Sequence, residues 1–124
     1  MTLESGDKLW MCAAPGQMAL QICSHQHAGG DDMSARGRSD VVDLVGREVA
    51  RLLFALERAL RYPGDAHEVV VCPAGSRGGA LKVEWSDLFR VLSLIGQEER
   101  VILTEAETLL FRDAVGAAAL KMFQ

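Results

Sequence analysis

The 124-residue chain has no apolar run close to the roughly 18 to 20 residues that a membrane-spanning helix needs. Residues 1–8 also lack the basic stretch and apolar core of an export signal. Cysteine is sparse: the three residues cannot all pair and they form no CxxC motif, which is typical of reduced thiols. These absences predict a cytoplasmic protein without a membrane contact.

Positive charge is outnumbered in this sequence. There are 13 Lys and Arg against 17 Asp and Glu, which gives a formal net charge of −4. Nucleic-acid binding depends largely on Lys and Arg that displace counterions from phosphates. The acidic balance therefore argues against nucleic acid as a partner, and a basic protein would suit the surface better.

Length and composition indicate one folded domain over residues 1–124. Apolar residues make up 49% of the chain and charged residues 24%, which is enough for a hydrophobic core. Chains of about 100 to 150 residues most often form one domain. Trp10 and Trp85 lie in segments with alternating polarity and are expected to pack in the core.

Alternating polarity around turn residues predicts two hairpins. The first covers residues 8–27 and turns at Pro15-Gly16. The second joins 67–72 to 79–85 through a Gly-rich loop. Alternate apolar side chains mark the buried face of the first hairpin: Met18, Leu20 and Ile22.

Apolar residues at spacings of three and four predict a long helix over residues 41–60, of about six turns. Ser39 or Asp40 is placed to cap its first amides. Tyr62 and the Pro-Gly pair after it would end the helix. This helix is the expected spine of the core.

The C-terminal part of the chain contains two further predicted helices. Thr104 and Glu107 form a capping box that begins the last helix. A short, very apolar helix is predicted over residues 88–95. Residues 101–103 are compatible with a short strand.

The order of these elements favours an antiparallel sheet. Hairpins connect antiparallel strands, whereas a parallel sheet needs a helix between successive strands. The sequence therefore predicts an α+β fold in which an antiparallel sheet of about four strands, made of two hairpins, packs on one long and one C-terminal helix. Residues 28–39 are polar, Gly-rich and aperiodic, which is typical of a flexible loop.

The strongest candidates for chemistry are Cys23, His25 and His27. If they continue a strand, its two-residue period places the thiol and both imidazoles on one face. All three are zinc ligands, and Asp31 or Asp32 could supply an oxygen. Successive side chains on one face lie about 6.6 to 6.8 Å apart, too far to converge on one ion without a bend. A small zinc-binding or cysteine-dependent enzyme is therefore the alternative function, and a solvated polar face is the simpler interpretation.

A second candidate is Cys72, which stands at the end of a predicted strand before a Gly-rich loop that carries Arg77. Such a loop could offer backbone amides and a guanidinium to an anion beside a thiolate. It lacks the Gly-Lys-Ser/Thr ending of a phosphate-binding P-loop. A hairpin loop with Cys72 as a small buried side chain explains the same residues more simply.

No set of residues matches a known catalytic signature, which argues against an enzyme. We therefore expect a small acidic protein-binding module without a cofactor, of the immunity-protein, antitoxin, chaperone or adaptor type. Self-association through one of the helices, which would give a homodimer, is a further alternative. Charged residues on polar loops are the candidate binding residues: Asp31, Asp32, Arg36, Arg38 and Arg77.

Overall fold

The computed structural model describes residues 1–24 and 39–122. Within them the chain forms seven strands and two helices. In chain order these are β1 (Lys8–Ala14), β2 (Gln17–Cys23), β3 (Asp40–Leu44), α1 (Gly46–Arg61), β4 (His67–Cys72), β5 (Leu81–Ser86), β6 (Val91–Ile95), β7 (Arg100–Thr104) and α2 (Glu105–Met122). The predicted α+β class, with antiparallel strands, a long helix and a C-terminal helix, is confirmed.

The strands form two antiparallel sheets, one in the order β1-β2-β3 and the other in the order β4-β5-β6-β7. Both predicted hairpins are present, as β1–β2 and β4–β5. Three further strands extend them: β3 adds to the first sheet, and β6 and β7 add to the second. The two hairpins are therefore the cores of separate sheets.

Residues 40–44 form strand β3 rather than the first turn of the long helix. Val42 and Leu44 are buried, whereas Val41 and Asp43 are exposed, so burial follows a two-residue period. The spacing of four between successive valines fits a helix equally well, and the local pattern could not decide. Pairing with β2 decides it, because β2 supplies the hydrogen bonds of a strand.

Helix α1 starts later than predicted, at Gly46, because residues 40–44 belong to β3. The Asp40 carboxylate caps no helix and instead accepts the backbone N–H groups of Glu98 (2.8 Å) and Glu99 (2.6 Å). Helix α1 begins after Val45, whose N–H donates to the Glu48 carboxylate (3.0 Å). Asp40 therefore ties the three-stranded sheet to the β6–β7 turn.

The short helix predicted over residues 88–95 is wrong. Residues 87–90 form a tight turn, and the following residues form β6 between β5 and β7. Three of the five residues of β6 are buried. A strand without alternating burial cannot be distinguished from a buried helix by its apolar run. The strand predicted at 101–103 is confirmed as part of β7.

The core lies where the two sheets meet the helices. Helix α1 packs mainly on α2 and, among the strands, on β4, while α2 also packs on β1 and β7. The capping box of α2 is confirmed, since the Glu107 N–H donates to Thr104 Oγ1 (3.2 Å) and the Thr104 N–H donates to Glu107 Oε1 (3.0 Å). Large side chains that are fully buried include Met18, Leu20, Leu52, Leu81, Leu103 and Phe111.

The two tryptophans differ in burial. Trp85 is buried as predicted, but the prediction for Trp10 is wrong, because its side chain is 45% exposed. Trp10 shares its side of β1 with Lys8 and Cys12, which are also exposed, and not with buried Leu9. Neither described helix is long and apolar enough to cross a membrane.

Candidate functional site

The turn between β5 and β6 carries the two most exposed large apolar side chains of the described residues. Leu88 is 81% exposed and Phe89 is 72% exposed. We call this pair the apolar tip. Contiguous apolar exposure of this kind marks interaction surfaces more often than single exposed side chains do.

The backbone of this turn is fixed by local hydrogen bonds. The Arg90 N–H donates to the Ser86 carbonyl (2.8 Å), and the Phe89 N–H donates to Ser86 Oγ (3.3 Å). Arg90 has a φ of +56°, a left-handed backbone conformation that residues other than glycine rarely adopt. Such a conformation persists where surrounding contacts hold the residue in place.

The Arg90 guanidinium ties the turn to two other elements. Nε and Nη2 donate to the two Glu105 carboxylate oxygens (3.2 and 3.3 Å), and Nη1 donates to the Pro63 carbonyl (3.2 Å). The Trp85 indole Nε1 donates to the same Pro63 carbonyl (3.1 Å), and its ring lies 6.0 Å from the guanidinium carbon. The end of α1, the apolar tip and the start of α2 are therefore held together.

A second exposed feature lies on the outer face of α1. Its five residues are all exposed and recur at spacings of four, three, four and three, opposite the buried face of the helix. Phe54 in the centre is 58% exposed. We call the set the arginine stripe: Arg47, Arg51, Phe54, Arg58 and Arg61.

The arginines of the stripe have no acidic partner among the described residues. Within the part of the chain that the structure describes, none of the four forms an ion pair within 4.0 Å. Arg51 donates one hydrogen bond, to the Val71 carbonyl (3.3 Å). Arg47, Arg58 and Arg61 form no side-chain hydrogen bond with a described residue.

A groove of about 580 Å³ lies along the C-terminal half of the stripe. Tyr62, 57% exposed, lines the groove and precedes Pro63, whose carbonyl accepts the hydrogen bond from Arg90 at the base of the apolar tip. Glu57 borders the groove, but its carboxylate accepts a hydrogen bond from Arg112 of α2 (3.1 Å). The residues that line the groove are Phe54, Glu57, Arg58, Arg61 and Tyr62.

The pKa of His67 is affected by one arginine of the stripe. Burial of the ring lowers the pKa of His67 from its ordinary value of 6.5, and the positive charge of Arg58 lowers this pKa further. The Asp65 carbonyl, 3.2 Å from Nδ1, acts in the opposite direction. The negative charge of Asp65 also raises this pKa, so burial is the main cause of the lowering and Arg58 a smaller one.

Cys72 does not have the surroundings of a reactive thiolate. The residue is buried, and its thiol donates to Glu48 Oε2 (3.4 Å). Burial is the largest cause that raises the pKa of Cys72 to about 12, followed by the hydrogen bond to Glu48 and the negative charge of that residue. Because the thiolate is the nucleophile, this arrangement favours the small buried side chain over the anion-binding thiol site.

Arg77 is the one predicted binding residue within the described part of the chain. It is exposed in the β4–β5 loop. The next residue, Gly78, accepts the Asp43 N–H through its carbonyl (2.8 Å), which holds this loop against β3. The other predicted binding residues lie outside the described residues: Asp31, Asp32, Arg36 and Arg38.

The zinc hypothesis stays a prediction. Cys23 is half-buried at the end of β2, but His25 and His27 lie outside the described residues, as does all of the predicted loop at 28–39 except Ser39. Among the residues that are described, no group of three or more His, Cys, Asp or Glu is placed to hold a metal ion.

Sequence reasoning missed both the apolar tip and the arginine stripe. It places Leu88 and Phe89 in a buried helix, because their turn carries no Gly or Pro and adjoins an apolar run. The stripe had a visible signal, since its spacing of four, three, four and three fits a helix face as well as the buried residues do.

Comparison with protein-family models, with curated proteins and with solved structures gave no match for this chain.

Proposed function

We propose that this chain is a protein-binding module, of the immunity-protein, antitoxin, chaperone or adaptor class, and that the apolar tip is its contact with another protein. The observation that carries the proposal is the exposure of Leu88 and Phe89 side by side on one turn. Burying such a side chain contributes about 1.5–3 kcal/mol. In the chain alone the apolar tip forgoes most of this stabilisation, and a partner could recover it.

Rigidity of the turn supports the proposal. Binding surfaces lose affinity when side chains and loops must be ordered on contact. Here the two hydrogen bonds to Ser86 and the contacts of Arg90 with Glu105 and Pro63 fix the turn in advance. An aromatic anchor on a rigid base is the arrangement that dominates many protein interfaces.

Photo-cross-linking in the cells that produce the protein tests this proposal. The substitution Phe89→p-benzoylphenylalanine places the reactive group on the apolar tip, and the same replacement at Val70 on β4 is the matched exposed position. We expect a single abundant protein adduct from position 89 that is absent from position 70. Identical adducts from both positions would contradict a specific contact at the apolar tip.

Affinity measurements with the cross-linked partner complete the test. We expect Leu88→Ser with Phe89→Ser to weaken the complex at least about tenfold, because each apolar anchor at an interface centre is worth about 1 kcal/mol or more. The melting temperature should change little, since both side chains are exposed. Leu120→Ser on α2 is the control for losing exposed apolar surface elsewhere, and equal weakening by the control would count against the apolar tip.

A further inference from the structure

We infer that the arginine stripe is the docking site for a short acidic, amphipathic segment of a partner protein. The inference rests on the proposed function in one respect only, namely that the occupant is a protein. It concerns a different surface from the apolar tip and names the chemistry of what binds there: carboxylates for the four arginines and an apolar side chain for Phe54.

Four Lys and Arg outside the stripe are paired with acids, whereas Lys8, Arg77 and Lys121 form no ion pair within 4.0 Å among the described residues. The stripe differs from these three scattered cations because it places four arginines on one helix face. Arg90 and Arg112 lie 3.2 and 3.1 Å from the carboxylates of Glu105 and Glu57, respectively. Arg100 and Lys82 also contact acids on the four-stranded sheet. Four arginines on one helix face with no acid within 4.0 Å in the described chain therefore present charge to solvent or to a ligand.

Helix stability does not explain the stripe. Cations are favourable near the C-terminus of a helix, where Arg58 and Arg61 lie. Arg47, however, lies in the first turn of α1, where the partial positive charge of the helix end makes a cation unfavourable. Arg47 is therefore not explained by the stability of the isolated helix.

The stripe concentrates positive charge on one helix face. Without the four arginines of the stripe, the rest of the chain has nine Lys and Arg against 17 Asp and Glu, from totals of 13 and 17. The stripe is thus a basic strip on an otherwise acidic protein. A second copy docked stripe to stripe would oppose like charges, which is destabilising.

The shape of the surroundings favours a short ligand over an extended polyanion. The stripe covers fourteen residue steps of α1, about 21 Å at 1.5 Å per residue. A nucleic acid or an anionic membrane would extend beyond this strip, and the net negative charge of the rest of the chain disfavours such a ligand. The exposed Phe54 and Tyr62 in the groove also match apolar side chains, which an amphipathic peptide offers.

The stripe also specifies how the occupant should be patterned. A helix lying along α1 would meet it with carboxylates at spacings of three and four, because residues at this spacing share one helix face. One apolar side chain in the middle would contact Phe54 and enter the groove beside Arg58 and Tyr62. Guanidinium groups suit this task because they bind carboxylates in a bidentate manner.

Fluorescence anisotropy with a labelled synthetic peptide tests the inference. The probe is a helical peptide whose Glu residues repeat at spacings of three and four around one central Leu, and the comparison probe is a scrambled peptide of the same composition. We expect the patterned peptide to bind the wild-type chain more tightly than the scrambled one, with an affinity that falls as salt rises. Equal binding of the two peptides, or no binding, overturns the inference.

Matched variants locate the binding. Arg47→Gln with Arg58→Gln should weaken the patterned peptide about fivefold, since two exposed charge contacts are lost. Lys8→Gln with Lys121→Gln removes the same charge from two exposed positions away from the stripe and should change affinity by less than about twofold. Equal weakening by both pairs would show that only net charge matters and would overturn the inference.

The apolar centre has its own pair of variants. Phe54→Ala should weaken the peptide about tenfold if the ring is the central anchor. Leu120→Ala removes a comparably exposed apolar side chain from α2 and should leave the affinity unchanged. If Phe54→Ala has no effect, the amphipathic part of the inference is wrong.

Two further probes separate this inference from other anions and from the proposed function. A single-stranded oligonucleotide, or a phosphatidylserine vesicle, that binds more tightly than the peptide and depends on Arg47 and Arg58 would assign the stripe to that ligand instead. The Leu88→Ser, Phe89→Ser variant should bind the peptide normally. If the peptide fails while cross-links from position 89 persist, the inference falls and the proposed function stands. If the cross-links fail while the peptide binds, the reverse holds.

Discussion

The four-stranded sheet and helix α1 both expose charge, but they differ in how that charge is neutralised. On the outer face of the sheet, Lys82 lies 3.6 Å from Glu68 and 3.4 Å from Glu84, and Arg100 lies 3.7 Å from Glu84. On α1, the arginines of the stripe have no acid within 4.0 Å among the described residues. Among the described residues, these cations of the sheet are therefore paired with acids of the same sheet, whereas the arginines of α1 have no such partner.

The comparison separates charge that serves the fold from charge that is open to a partner. Cross-strand pairs of opposite charge contribute modestly to the stability of a sheet. Unpaired cations on one helix face contribute to solubility and to binding, but they repel each other. Removing charge should therefore reduce stability on the sheet and leave it unchanged, or raise it slightly, on α1.

The largest effect should come from Arg90, the most extensively paired arginine of the sheet region. Arg90→Ala loses the bidentate contact with Glu105 and the hydrogen bond to Pro63, and we expect the free energy of unfolding to fall by about 1–2 kcal/mol. Chemical denaturation measures this. Arg90→Gly loses the same contacts but relieves the left-handed backbone, so it should be less destabilising by about 1 kcal/mol. Equal losses in the two variants would show that the backbone there carries no strain.

A smaller effect is expected from single charges of the two regions. Glu84→Gln deprives Arg100 of its carboxylate and should cost about 0.5 kcal/mol. Arg47→Gln removes an unpaired cation near the start of α1 and should leave stability unchanged or raise it by about 0.3 kcal/mol. Paired denaturation curves decide this, and a loss on α1 as large as that on the sheet would abolish the distinction between them.

The smallest effect concerns the pKa of His67, which depends in part on the positive charge of Arg58 in the stripe. Arg58→Gln should raise the pKa of His67 towards 6.5, whereas Arg100→Gln on the sheet should leave it unchanged. Because burial is the main cause of the lowered pKa and is unchanged in this variant, the pKa should remain below 6.5. Histidine NMR titration measures it, with His67→Gln to assign the signal.

The same lowered pKa gives a dependence of stability on pH. The folded chain favours neutral His67, so the unfolded chain binds the proton first as the pH falls. Stability from this group is fully present above pH 6.5 and is lost below it, as the pH falls through the folded pKa. The loss should be smaller in Arg58→Gln. If the dependence of stability on pH is unchanged in that variant, solvent screens the charge of Arg58 and the stripe has little effect on the pKa of His67.

Parts of the fold could be predicted because they depend on local chemistry. The Pro-Gly turn of the first hairpin and the Thr104–Glu107 capping box each need only neighbouring residues, and both are present. Residues 40–44 and 91–95 could not be predicted as strands because their apolar spacing fits a helix and a buried strand equally well. Their hydrogen-bonding partners lie in other strands, and those partners made both segments strands.

The candidate site divides in the same way. The spacing of the arginine stripe is written in the sequence, since α1 is an amphipathic helix whatever surrounds it. That its arginines have no acid within 4.0 Å among the described residues is a tertiary property, because an acid distant in the chain can supply the partner of an arginine, as Glu57 does for Arg112.

Composition and short-range periodicity are sufficient to predict the α+β class, both hairpins and the capped C-terminal helix. Tertiary contacts decide that Leu88 and Phe89 are exposed and that the four arginines of the stripe have no acid within 4.0 Å among the described residues. Exposure and pairing depend on which distant segments come within a few ångströms of a side chain, and local spacing carries no information about such contacts.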